Sequence, residues 1–199
     1  MAVHSIRKQA TVVILFNFVH IYISNLLYMK IRNLLLALFV LCVLSIKAQS
    51  TNELEARNGF KDIKLATNVN QYDGLVFEKE VDDVNFGKLQ VYVRKKDQYT
   101  AIGSIAIDHL EVRVYNGEVY QIQVIIPKDP KMYGGLKKSF GPPKFSIVTN
   151  DYFWAADSLK LLYRSYGKNQ LELLYHSVLI DRKLEVEKDE EIDDIASDF

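Results

Sequence analysis

Three side chains in this sequence are of the kind that moves protons: Asp108, His109 and His176. A carboxylate that orients an imidazole makes a relay, and histidine titrates close enough to neutrality to serve as general acid or base. Such a relay also needs a nucleophile, and none accompanies these residues in a recognisable pattern. The chain has no HExxH, GxSxG, GxGxxG or phosphate-loop motif. The same three residues read equally as polar positions on half-exposed strands. An enzyme of unrecognised type using Asp108, His109 and His176 is therefore the alternative to a non-catalytic protein. The sequence assigns no catalytic residue, no cofactor and no metal site.

Two acidic clusters invite a cation. Asp189-Glu190-Glu191, Asp193-Asp194 and Asp198 crowd the C-terminus, but calcium takes about six to eight oxygens from a sharply turning loop, usually with a glycine. No glycine is present there, and the apolar residues recur with helical period, so a solvated helix face is expected. Asp82-Asp83-Asn85 offers three ligands at most and reads as a turn. The aromatic load is high, with 12 Tyr and 10 Phe, and Tyr152-Phe153-Trp154 concentrates it. On a strand Tyr152 and Trp154 share one face. Facing outward they would make a platform for sugar or peptide, the one candidate binding surface in the sequence; facing inward they are core.

These residues must be positioned by elements the patterning reveals. Gly59–Leu65 alternates and predicts a strand. Thr67 or Asn68 can cap a short helix through Asp73, with Gly74 to end it. Leu75–Glu80 predicts a strand, Val81–Lys88 a turn, and Leu89–Arg94 a strictly alternating strand. Around Asn116-Gly117, Leu110–Ile126 predicts a hairpin, because Asn-Gly supplies the two positive φ angles of a type I′ turn. Pro127 and Pro130 stop strand pairing. Lys131–Phe140 predicts a helix closed by Gly141 and Pro142-Pro143. Gly134-Gly135 in its middle costs about 1 kcal/mol per residue against alanine, which points to close packing on a sheet or a late helix start. Asp151–Ala155, Leu159–Ser165 and Leu171–Val178 predict a three-stranded meander. Ile192, Ile195, Ala196 and Phe199 recur at i, i+3, i+4 and i+7, which predicts a C-terminal amphipathic helix docked by that stripe.

Ahead of these elements, Met29–Gln49 (MKIRNLLLALFVLCVLSIKAQ) has the layout of a secretory signal peptide. Lys30 and Arg32 form the basic start, Leu34–Ile46 the apolar stretch, and Ile46 and Ala48 fit the −3 and −1 positions of a signal-peptidase site, with cleavage before Gln49. Residues 1–28 admit three readings. They are sequence upstream of a true start at Met29; or Thr11–Tyr28 is a membrane helix; or residues 11–46 form a retained helical hairpin with Lys30 and Arg32 on the cytoplasmic side. Cys42 follows Val40-Leu41, not the small residue a lipidation site requires. The expected organisation is an upstream extension or extra hydrophobic segment over 1–28, a signal peptide over 29–48, a flexible lead-in over 49–58, and one α+β domain over 59–199.

Composition narrows the function. Residues 49–199 suffice for one domain with a real core. They hold no cysteine, which excludes a disulfide scaffold and cysteine-rich zinc sites. The zero net charge of the whole chain hides an acidic domain: all 25 Asp and Glu lie after residue 50, against twenty Lys and Arg, a net −5. That balance argues against nucleic acid as a partner, which needs a basic footprint.

The segments GFKDIKL, IGSIAIDHLEVRVYNGEVYQIQVII, KKSFGPP, YFW and LELLYHSVL, spanning about 59–180, resemble uncharacterised small exported α+β proteins of Gram-negative bacteria. A looser, fold-level similarity is to β-lactamase-inhibitor-like and outer-membrane-assembly lipoprotein domains, whose sheets bind protein partners. The chain departs from these: its halves do not match, and the lipid-anchoring cysteine is missing. The resemblance implies fold but transfers no site. The expectation is thus α+β, with an antiparallel sheet of hairpins, a C-terminal meander and two or three helices on one face. The expected function is an exported, periplasmic or secreted, non-catalytic protein that engages an envelope protein or component through its sheet. A membrane enters only if residues 11–46 are retained.

Overall fold

The structure, a computed structural model, describes residues 53–199, within the compact unit Gln49–Phe199. The signal peptide and the 1–28 segment lie outside the described residues. Among the described residues no helix is long and apolar enough to cross a membrane.

Eight antiparallel strands form the main sheet, and their order follows from two meanders meeting in the middle. The first meander is β3 (Leu75–Asp83), β4 (Gly87–Arg94), β7 (His109–Tyr115) and β8 (Glu118–Pro127). The second is β9 (Lys144–Ser146), β10 (Asp151–Ala155), β11 (Leu159–Tyr166) and β12 (Gln170–Ser177). Helix α2 (Pro130–Phe140) carries the chain between them, and β12 pairs with β8 to close the order β3-β4-β7-β8-β12-β11-β10-β9. Two short hairpins stand outside the sheet: β1 (Gly59–Phe60) with β2 (Ile63–Lys64), and β5 (Ala101–Ile102) with β6 (Ile105–Ala106). A helical turn α1 over 53–57 and a 3-10 turn at Val69–Gln71 complete the first layer, and α3 (Val178–Ser197) follows β12.

The two-residue period of the strands separates two faces of different character. Leu110 and Val112 pair with Val124 and Ile122, and Leu173 pairs with Val124 from the other side, so these fully buried side chains share one face. That face is the core, roofed by α2, the 53–72 segment and the β5–β6 hairpin, which contribute Met132, Leu136, Leu54, Phe60, Ile63 and Ile107. The opposite face presents Glu111, Arg113, Gln121, Gln123, Glu172 and His176, in register with one another. Only at one end is it covered, where Ile180 of α3 meets Leu89 and Tyr120. A register shift between Arg113 and Val114 makes Tyr120 the extra residue that reaches this small second cluster.

The helices therefore do not pack on one face as expected: α2 lies on the core side, and α3 begins against the other. The expected docking of α3 through Ile192, Ile195 and Phe199 is also overturned, because these side chains are 61%, 54% and 104% exposed. The helix is held at its start instead. Ser177 Oγ accepts from the Ile180 N–H at 3.3 Å, and Lys183 Nζ reaches Glu118 at 2.6 Å. An apolar period along a helix shows that it has a stripe, not that a surface is present to cover it.

Several elements match their sequence signals closely. Asn116 and Gly117 take φ of 49° and 82° in the β7–β8 hairpin, as a type I′ turn demands. Asp129 caps α2 by accepting from the Lys131 N–H at 2.8 Å, and Pro130 fills the first position. Other expectations need correction. Gly59–Leu65 is not one strand; it turns at Lys61 (φ 54°) into the β1–β2 hairpin. Much of Val81–Lys88 is strand, with the turn confined to residues 84–86. The polar lead-in over 49–58 is helical at 53–57, and Leu54 there is buried to 1% exposure. One apolar side chain in a polar stretch suffices to fix a helical turn onto a core.

Candidate functional site

An open cleft of about 730 Å³ runs between α2, the β1–β2 and β5–β6 hairpins and the core face of the sheet. Its size is that of a small-molecule site, which typically spans about 300–1,000 Å³. Leu173 and Tyr175 of β12 form the floor, Met132 and Leu136 of α2 one wall, and Phe60 and Ile105 the other. Local sequence explains each element. Gly59 is obligatory at the entrance to β1: with φ of 145° and the carbonyl oxygen of Ile63 only 2.2 Å from where a Cβ would sit, no other residue fits. On α2, helical spacing buries Met132, Leu136 and Phe140 and leaves Gly135 on the cleft side.

Gly135 resolves the puzzle of two glycines in mid-helix. The expectation of close packing or a late start is wrong: α2 begins at Pro130, and a Cβ at Gly134 or Gly135 would meet nothing within 4 Å. The helix packs on the core through Met132, Leu136 and Phe140, and both glycines lie on its exposed side. Gly135 also lines the cleft, where it contributes no side chain.

The polar groups of the cleft have one sign. Arg57, Lys61 and Lys131 line it, and no acidic residue does so among the described residues. The Arg57 guanidinium lies over the Phe140 ring at 5.5 Å, with its Nε 2.8 Å from Glu53 Oε1. Lys61 Nζ stands 5.8 Å and 5.9 Å from the rings of Phe60 and Tyr99. Tyr175 is 5% exposed, and its hydroxyl has no hydrogen-bond partner among the described residues. Burial pushes this phenol above its ordinary value, with Arg57 opposing in part, so at neutral pH it is an uncharged donor. An apolar trough with cations and the hydroxyls of Ser104, Ser139 and Tyr175 can hold and orient a ligand. Among the described residues no histidine or carboxylate lines the trough to serve as a general base.

The other face of the sheet holds the densest set of charges. Glu172 is buried to 1% exposure and accepts from both Arg164 Nε and Gln123 Nε2. Asp151 stands 4.0 Å from the same guanidinium. The hydrogen bond that Arg164 donates to Glu172 holds its guanidinium above its already high ordinary value. The space among Glu111, Arg113, Gln121, Gln123, Arg164 and Glu172 is only about 100 Å³, room for a few waters. A buried carboxylate here is matched by a guanidinium and an amide, the arrangement a structural ion pair requires.

The residues singled out in the sequence lie away from the cleft. Asp108 Oδ2 accepts from Gln170 Nε2 at 2.7 Å. His109 Nε2 is 3.7 Å from Glu111 Oε2. His176 is clamped elsewhere, by Asp181 at 2.5 Å and Gln121 at 2.9 Å, with its ring 4.9 Å from that of Tyr120. His109 sits opposite Ile125 and His176 opposite Gln121, so about 13 Å of β8 separates them. The three residues are not assembled into one relay. Asp83 Oδ1 accepts from the N–H groups of Asn85 and Phe86, at 2.8 and 3.2 Å, and so closes the β3–β4 turn. Among the described residues no group of three or more His, Cys, Asp or Glu could hold a metal ion.

The Tyr152/Trp154 platform is corrected by burial. Trp154 is 5% exposed, and its Nε1 donates to the Gly141 carbonyl at 2.8 Å, tying β10 to the end of α2. An indole with a backbone acceptor within reach is a core residue. Tyr152 remains 39% exposed and joins Tyr133, Phe145 and Tyr163 in an aromatic cluster near the β9 edge.

Sequence reasoning missed Tyr175, Lys61, Lys131 and the β5–β6 hairpin. The signals were Gly134-Gly135, whose helical cost demanded a reason, and the Ile102-Gly103-Ser104-Ile105 pattern, a short hairpin between apolar residues. Compared with known proteins, the chain matches no family model, no curated protein and no solved structure.

Proposed function

We propose that residues 49–199 form a non-catalytic binding protein that takes a small molecule with an apolar body into the cleft beneath α2. One observation carries this reading. A trough of about 730 Å³ has glycine at position 135 of its helix wall, where an alanine would be about 1 kcal/mol better for the helix. The separation of Asp108 and His109 from His176 supports a binding role over a catalytic one. The signal-peptide layout of Met29–Ala48 supports action outside the cytoplasm. A neutral apolar dye such as N-phenyl-1-naphthylamine tests the reading. Its fluorescence should rise on binding, and Gly135→Leu should abolish the rise in a protein that remains folded. Dye binding that survives this substitution rejects the cleft as the site.

A second reading keeps the protein partner expected from the sequence. It is favoured by the sheet edge, where Phe145, Ile147 and Val148 on and after β9 are 48%, 88% and 96% exposed beside Tyr152. Apolar edges of this kind pair with other chains unless something covers them. Lysine at Phe145 and Val148 should then abolish recovery of an envelope protein in cross-linking while leaving dye binding intact. The location itself is tested by N-terminal sequencing of the native protein: a start at Gln49 supports export, and a start at Met1 supports retention in a membrane.

A further inference from the structure

We infer that the ligand of this cleft is an amphipathic anion: an apolar chain or flat ring body that ends in a single carboxylate. The inference rests on the cleft being a binding site and adds the chemistry of its occupant.

Charge is the first argument. The domain carries 25 acidic residues against twenty basic ones, yet the cleft is lined by Arg57, Lys61 and Lys131 and, among the described residues, by no carboxylate. All three cations are exposed at the cleft, and Arg57 is already paired with Glu53, so Lys61 and Lys131 supply the positive potential that attracts anions. Among the described residues neither Lys61 nor Lys131 has an ion-pair partner.

Placement is the second. Lys61 is held at φ 54°, a left-handed conformation that costs a residue other than glycine about 1 kcal/mol. The β1–β2 turn thereby projects its ammonium beside the Phe60 and Tyr99 rings at the cleft. Asp62, next in sequence, accepts from the Tyr99 hydroxyl at 3.1 Å.

The third argument is the floor. Tyr175 offers an uncharged O–H, and Arg57 lines the same cleft. A carboxylate between them gains a charge contact and a hydrogen bond, while its hydrocarbon covers Leu173, Met132 and Leu136. Arg57, Lys61 and Lys131 with the hydroxyls of Ser104, Ser139 and Tyr175 suit an anionic head group. Arginine and lysine bind phosphate as well as carboxylate, so octyl phosphate is the competitor that separates the two head groups.

The test is a displacement titration of the neutral dye from the folded domain, with octanoate, octanol and octyl phosphate. Octanoate should compete about five- to tenfold more tightly than octanol at low salt, the yield of two or three partly screened charge contacts. The advantage should shrink to about twofold or less in Lys61→Gln/Lys131→Gln and in high salt. Equal competition by octanoate and octanol overturns the charge assignment while leaving the cleft as a binding site. Tighter competition by octyl phosphate overturns the carboxylate. Failure of the dye itself to bind removes the underlying site and this inference with it. The ligand series uses unaltered protein, so misfolding of the double variant leaves the comparison decisive.

Discussion

Gly135→Leu should make this protein more stable and, at the same time, unable to bind. Glycine in a helix interior is about 0.8–1.0 kcal/mol worse than alanine, and leucine ranks close to alanine. The backbone change alone therefore stabilises by roughly 0.7 kcal/mol. The new side chain enters a trough lined by Met132, Leu136 and Leu173, where nothing lies within 4 Å of the added Cβ. Full burial of leucine is worth about 1.5–3 kcal/mol; in an open cleft about a third of that, near 0.5–1 kcal/mol, is reasonable. Together the terms give about 1–2 kcal/mol, or a Tm rise of roughly 2–8 °C for a domain of this size. Urea unfolding and dye titration on the same samples measure both consequences. Gly134→Ala is the comparator, because Gly134 does not line the cleft; it should stabilise the helix by about 1 kcal/mol without changing dye affinity. A loss of about 1–3 kcal/mol in Gly135→Leu, the signature of overpacking, would refute the open cleft. A stability gain with undiminished dye binding would show that the ligand sits elsewhere.

Three more outcomes are expected. Trp154→Phe should cost roughly 1–2 kcal/mol in urea unfolding, about 1 of it from the lost Nε1–H bond to Gly141, and should increase amide exchange at the end of α2. Stability should fall at alkaline pH. Burial and Asp62 push Tyr99 up to about 12 from 10.0, and burial raises Tyr120 and Tyr175 as well. The unfolded chain then binds fewer protons above its own phenol value, so the contribution is complete below about pH 10 and is lost as pH rises through the folded values. Tyr99→Phe should flatten that decline, and an unchanged alkaline slope would contradict the shift. Removing residues 189–199 should alter unfolding free energy by no more than about 0.5 kcal/mol, because Ile192, Ile195 and Phe199 are exposed; a larger loss would mean that the stripe is docked after all.

Local patterns carried most of the sheet, and long-range placement carried the site. Asn116-Gly117 and the alternation around it specify the β7–β8 hairpin by turn chemistry alone, and Asp129, Pro130 and Gly141 bracket α2 in the same way. Alternation also puts Glu111, Arg113, Gln123 and Glu172 on one face, but whether a helix covers that face is a tertiary matter. The stripe on α3 illustrates the gap: its period is real, while the surface that would bury it is not in contact. Trp154 fails for a related reason. A Tyr-x-Trp strand has one aromatic face, and which way that face turns depends on α2 ending at Gly141, thirteen residues earlier in sequence. Leu54 was invisible because a single apolar residue has no period. The cleft draws on α1, β1, β5, α2 and β12, elements far apart in the chain, and no spacing within one of them encodes the hollow between them. The local traces were the energetic oddity of Gly134-Gly135 and the short hairpin pattern Ile102-Gly103-Ser104-Ile105.

The most direct test of the binding cleft is an amide chemical-shift titration of the domain with octanoate. Perturbations confined to residues 57–61, 102–105, 131–140 and 173–175 are the predicted result. Perturbations centred on the β9 edge at 144–152, or on the opposite sheet face around Glu111, Gln123 and Glu172, would contradict it.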